Sequence, residues 1–267
     1  MIDFLLSSNR VEQKSEEYLS LFHLIAKIRF NLDAIQLLLP SLLEDYRFKT
    51  SMNLLYRGVV SDLINTLYLV SWCDGSTEKQ PLLSAELDIL QIDFLNAVLK
   101  IVSAEGLIQQ IVRDPTDNWE QEIIDANIDL YDEVRGSWKN ATQIRKRTGH
   151  KYDIDPNLAR PTETAKISHI GRFQLANANH LESSFRYLSQ YQHFSPRMHD
   201  FLLSDPNYDI EVYKVVLSIL IDTLTLVSYV VNYNNKEEFE ATHSKLIEKF
   251  KCLYPPSHSP PQEEPPY

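Results

Sequence analysis

The chain has 267 residues, 43% hydrophobic and 24% charged, enough apolar material for one large domain or two small ones. Six glycines in the whole length leave little for the turns of an all-β fold or for a phosphate-cradling loop. A formal net charge of −11 gives no long-range pull on nucleic acid, so only a local basic patch would bind it. Two cysteines, Cys73 and Cys252, are too few for a disulfide framework or a zinc site, and they read as thiols of a reducing compartment. Met1 to Leu6 has neither the basic start nor the apolar length of a signal peptide, so a cytoplasmic location is expected.

Helical periodicity dominates, and the expected class is all-α: a bundle of long antiparallel helices with one long polar loop. The first helix is predicted from Val11 to Leu39, stopping at Pro40. Ser41 and Glu44 have capping-box spacing and start a second tract, which runs to about Trp72. Within it Leu55, Val59, Leu63 and Leu67 form one apolar stripe, and Val60, Ile64 and Tyr68 form another. Two apolar faces imply a helix enclosed by neighbours. Cys73 to Ser76 is a turn, and a third helix covers Leu82 to Val102.

Asp117 and Glu120, again at capping-box spacing, open a helix predicted to reach Trp138. The polar stretch 140–172, broken by Pro156 and Pro161, reads as a long loop with at most short helical pieces. Helix resumes from Phe173 to His193, and Ser195-Pro196 fits the start of a short one. Val212 to Tyr233 is long and apolar, but Asp222 near its middle would cost about 2.5–3.5 kcal/mol in a bilayer. A buried helix is therefore expected there, with no membrane partner. Asn235 and Glu238 open a last helix to Lys251. The pattern gives a single domain over 1–254 and a disordered, Pro-rich tail over 255–267. Nothing reads as a strand.

Glu182, Arg186, Ser189 and His193 fall on one face of the helix predicted over Phe173–His193. An Arg–His pair at a helix end would hold an anion, and His193 would shuttle a proton. The alternative is a solvated face with one Glu–Arg pair. Arg57 shares the spacing of Val60, Ile64 and Tyr68, so its charge should be paired or line a cleft. Asp62, on another face of that helix, is expected to be solvated. The run Arg145 to Lys151 reads as solvent-exposed, with phosphate contact as its functional alternative. Tyr187 and Tyr191 read as core or interface aromatics. No Walker loop, HExxH, GxSxG or paired CxxC is present, and the histidines lack metal-ligand spacing, so neither metal nor cofactor is expected.

Tyr56-Arg57 with the apolar helix that follows, and Phe185 to His193 with Tyr187, Ser189 and His193 in step, resemble segments of an uncharacterised bacterial helical family, the DUF5677-like proteins. Some members are similar to HEPN domains. That likeness implies metal-independent RNA cleavage by an Arg-x4–6-His motif, usually assembled across a homodimer. Arg186 and His193, with six residues between them, match that motif, as do Arg145 and His150 with four. The resemblance thus implies Arg186 and His193 as catalytic residues, RNA as partner, and Arg57, Ser189 and Tyr187 as binding residues. The reading kept beside it is a non-catalytic helical interaction or ligand-binding protein.

Overall fold

The computed structural model describes residues 2–6, 16–45, 48–73, 80–108, 118–149, 161–192, 207–231 and 236–253. These residues form an all-α protein with one minimal hairpin. The helices are α1 (Ile2–Leu6), α2 (Glu16–Glu44), α3 (Lys49–Val70), α4 (Gln80–Ile108), α5 (Trp119–Ala126), α6 (Ala141–Arg147), α7 (Glu163–Arg172), α8 (Ala178–Ser189), α9 (Asn207–Val230) and α10 (Lys236–Leu253). Single 3-10 turns follow α5 (Ile128–Leu130) and α8 (Gln190–Gln192).

The centre is α3. It packs against α2, α9, α8 and α7 and touches α4. Both apolar stripes read from its sequence are buried: Val59, Val60, Leu63, Ile64, Leu67 and Tyr68 are at most 1% exposed. The main core gathers around them from α2, α7, α8 and α9. A smaller cluster forms where Ala85, Ile89, Ile92 and Leu95 of α4 meet Leu130, Ala141 and Ile144, with Ile123 and Trp138 packed against it.

Several boundaries differ from the expectation, each for a local reason. The helix expected to end before Pro40 continues to Glu44. Pro40 is exposed, so the carbonyl it leaves without a donor faces solvent, while buried Leu42 draws the last turn onto the core. The helix expected to reach Trp138 ends at Ala126. Its N-cap is Asn118 and not Asp117, and the Asn118 side chain accepts from the Gln121 amide. A hairpin follows, pairing Tyr131 with Trp138 and Asp132 with Ser137. Gly136, at φ 62°, supplies the left-handed residue that closes such a turn.

The stretch 140–172 holds two helical pieces, α6 and α7, and residues 150–160 lie outside the described part. Asn140 and Gln143 form a reciprocal capping box that starts α6. The helix expected from Phe173 begins at Ala178 instead, after a tight turn. There Gln174 has φ 55°, and a Cβ on Gly171 would lie 2.8 Å from that of Ala178, so only glycine lets α7 and α8 approach this closely. The apolar helix expected over Val212–Tyr233 is α9, and among the described residues no helix is long and apolar enough to cross a membrane. The expected Ser195-Pro196 helix and the tail lie outside the described residues.

Enclosure makes α3 depend on its polar residues finding partners. At its start Lys49, 1% exposed, lies 2.9 Å from a carboxylate oxygen of Asp209, itself fully buried in the first turn of α9. The other oxygen accepts from Asn53 Nδ2, Tyr187 Oη and Tyr191 Oη, each at 2.9 Å. Asp62, expected to be solvated, is 1% exposed, because its face of α3 lies under α2. Its carboxylate takes the Lys27 ammonium at 2.8 Å. Burial pushes its pKa up, and the Lys27 bond and charge oppose that shift.

Removing one member of a buried ion pair strands the other charge in low dielectric. Asp209→Ala should therefore lower the unfolding free energy by about 3–5 kcal/mol, whereas loss of the half-exposed Asp33 partner of Arg29 should cost about 1 kcal/mol or less. Urea unfolding of the two variants beside the unaltered protein gives both values.

Candidate functional site

Arg57 sits on the flank of α3 that faces α8. Its Nε donates to Ser189 Oγ at 2.7 Å, its Nη1 donates to Ser61 Oγ, and its guanidinium lies 4.0 Å from the centre of the Phe185 ring. Ser189 in turn donates to the Phe185 carbonyl at 2.6 Å. A charge on an apolar stripe is thus satisfied by two hydroxyls and a π face. Partial burial lowers the Arg57 pKa, opposed by the Glu163 carboxylate.

The structure therefore brings Arg57 and Ser189 together, as two of the expected binding residues. Tyr187 belongs elsewhere. It is half-buried on the Asp209 carboxylate, 3.3 Å from Tyr191 Oη, in the core role read for these aromatics. Burial, then Asp209, raises its phenol above the usual range. Arg186 is exposed and held by Glu182, with Nε and Nη2 at 2.9 and 2.6 Å from one carboxylate oxygen. His193 and His150 lie outside the described residues.

A second polar region, which the sequence reading did not anticipate, lies farther along the same flank of α3. Asn65 accepts from Lys166 Nζ at 2.8 Å. One turn on, the Tyr68 hydroxyl donates to Glu86 of α4. Arg145 closes this set: Nε and Nη2 reach the two Glu86 oxygens at 2.7 and 2.8 Å, and Nη2 lies 3.3 Å from Tyr68 Oη. The basic run expected to be solvent-exposed therefore begins with a residue that is 3% exposed, because α6 turns Arg145 inward beside Ile144. Burial works against the Arg145 charge, but the bonds and charge of Glu86 outweigh it and hold the pKa above its ordinary value. Burial and Glu86 push the Tyr68 phenol up. His169 packs beside this group, 4.8 Å from Trp72 in a stacked contact, with Nε2 2.9 Å from Ser71 Oγ.

Lys166 also lines a recess of about 780 Å³ between α4, α5, the hairpin, the start of α6 and the start of α7. Its apolar wall includes Ile89, Ile92, Tyr131, Trp138 and Ala141, and its polar wall includes Asp93, Glu120, Glu163 and Lys166. Lys166 is 5% exposed. Burial lowers its pKa, and Glu163, Asp93 and Glu86 act against that shift. Desolvation raises the Asp93 pKa, opposed by Lys166. The charge of Glu163, in the first turn of α7, opposes the lowering of both the Lys166 and the Arg57 pKa. The hollow is walled about equally by polar and apolar groups, and an apolar wall facing a few convergent charged groups can hold a small molecule that has both kinds of surface. Among the described residues, no group of three His, Cys, Asp or Glu side chains is placed to hold a metal ion.

No protein-family model matches the chain, and no curated protein or solved structure matches it.

The signals that would have found the recess are weak ones. Asn140-x-x-Gln143 marks the start of α6, and Arg145 falls one turn after Ala141 on the face that includes Ile144. Glu86 carries no signal of its own, since one carboxylate on a long helix is ordinary.

Proposed function

We propose that the protein is a helical ligand-binding protein whose site is the recess between α4, α5, the hairpin, α6 and α7. The observation that carries this reading is Lys166: a nine-tenths buried ammonium in the wall of an open 780 Å³ hollow, flanked by the Glu163 and Asp93 carboxylates. Keeping such a charge out of water is costly; the Asn65 oxygen accepts one of its hydrogens, and the carboxylates that offset its charge, Glu163 and Asp93, line the hollow as well. The flat surfaces of Trp138 and Tyr131 suit an aromatic or alicyclic body. The Lys166–Glu163–Asp93 group suits a polar end that both donates and accepts hydrogen bonds. An anilinonaphthalene sulfonate probe, aromatic with one anionic end, should brighten on binding the unaltered protein. Asn96→Trp fills the recess from its exposed rim and should remove most of that signal without shifting the melting temperature. Equal brightening in both proteins would contradict the reading.

A second reading, metal-independent RNA cleavage, is supported by one observation: Arg57 reaches Ser189 across the α3–α8 contact. In it His193 moves the proton and Arg186, released from Glu182, stabilises the phosphate charge developing in the transition state. Purified protein should then cleave RNA in the presence of EDTA, and His193→Ala and Arg186→Ala should each lose at least about 100-fold in rate. Equal rates in all three would remove this reading.

A further inference from the structure

The core-facing side of α2 is ordinary: Leu21, Ile25, Ile28, Ile35 and Leu42 are at most 5% exposed. Its opposite side is not. Leu19, Phe30 and Leu37 are 47%, 71% and 79% exposed, and at 100° per residue they project within about 20° of one another. Leu19, His23, Ala26, Phe30, Asp33 and Leu37 follow one another at steps of four, three, four, three and four, the spacing of a coiled-coil seam. Three large exposed apolar side chains in one line on the solvent side of a long helix mark an interaction surface.

We propose that this face docks a second copy of the chain, α2 against α2, antiparallel about a two-fold axis at the level of Ile28. The sequence of the seam argues for this occupant, because it is its own complement about that level. Leu19 meets the partner's Leu37, the small Ala26 meets the partner's large Phe30, and the imidazole of His23 meets the partner's carboxylate at Asp33. A two-fold contact uses one patch twice, so every such pair forms twice. Antiparallel helices also pair the two alternating seam positions with each other, as this register does. The cations beside the axis are already balanced within each chain. Lys27 is held by Asp62 at 2.8 Å, and Arg29 is held by Asp3 at 3.1 Å and by Asp33, so bringing the two copies together does not oppose bare charges. The opposite ends of the seam, Leu19 and Leu37, lie about 27 Å apart along one helix and cannot touch within a chain. This proposal is independent of the recess and of RNA cleavage.

Sedimentation velocity of the full chain across the micromolar range tests it. The unaltered protein should sediment at twice the 31.0 kDa of one chain. Leu19→Glu and Leu37→Lys alter exposed side chains only, so each should keep its helical circular dichroism and fall to the mass of one chain. Combined in one chain, the two substitutions face each other across the axis as two Glu–Lys pairs, and the dimer should return. A single-chain mass for the unaltered protein overturns the proposal, whether the face is covered by another partner or by none. A dimer indifferent to both single substitutions also overturns it, and so does a double variant as monomeric as the single ones.

Discussion

The buried carboxylate of Glu86 is the contact on which the packing of α4 and α6 against α3 depends. It is fully enclosed, and it accepts from Nε and Nη2 of the Arg145 guanidinium and from the hydroxyl of Tyr68. One residue comes from α3, one from α4 and one from α6, so the group ties the main core to the smaller cluster beside it. An apolar trio of the same volume would hold these helices about as firmly. It would not fix their orientation, because planar, two-pronged pairing specifies direction where dispersion does not. The recess lies beside this clamp, with Ala141 of α6 and Ile89 and Ile92 of α4 in its wall. The recess is walled in part by the smaller cluster, and it keeps its place against α7 only if that cluster does not slide on the main core.

The same constraint recurs along the whole of α3. A helix packed against four neighbours offers little solvent to the polar side chains it turns toward them. Lys49 and Asn53 therefore go to Asp209, Asp62 to Lys27, Arg57 to Ser189, and Asn65 to Lys166. Each contact fastens α3 to a different element: α9, α2, α8 and α7. The pairing is the cost of burying a helix that carries charge on several faces, and it also gives each neighbour a fixed register against α3. Lys166 differs from the others in lining open space as well as meeting α3.

The sequence made the all-α class and the central position of α3 legible, because apolar residues at two helical spacings can only mean enclosure. Arg57 was legible as an anomaly for the same reason, and its need for partners followed. Asp62 was not. A lone acidic residue between two stripes looks the same whether it faces water or a lysine on another helix, and Lys27 lies far away in sequence. Arg145 was hidden by its neighbours: Lys146 and Arg147 are exposed, and a basic run reads as solvated unless one knows that a helix turns its members to different sides. Pro40 was read as a stop, yet a proline in the last exposed turn leaves only one carbonyl to solvent. The hairpin failed for lack of length, since two residues per strand carry no alternation. The recess combines all of these, because α4, the stretch from α5 to α6, and α7 come together to build it.

A double-mutant cycle on Glu86 and Arg145, followed by urea unfolding, tests the clamp most directly. Glu86→Ala and Arg145→Ala should each cost about 3–5 kcal/mol, since each leaves a buried charge without its partner. The double variant should cost well under the sum, with a coupling of at least about 2 kcal/mol. Two small, additive losses would mean that Glu86 and Arg145 do not meet in the folded protein, and the recess built on their contact would not have this form.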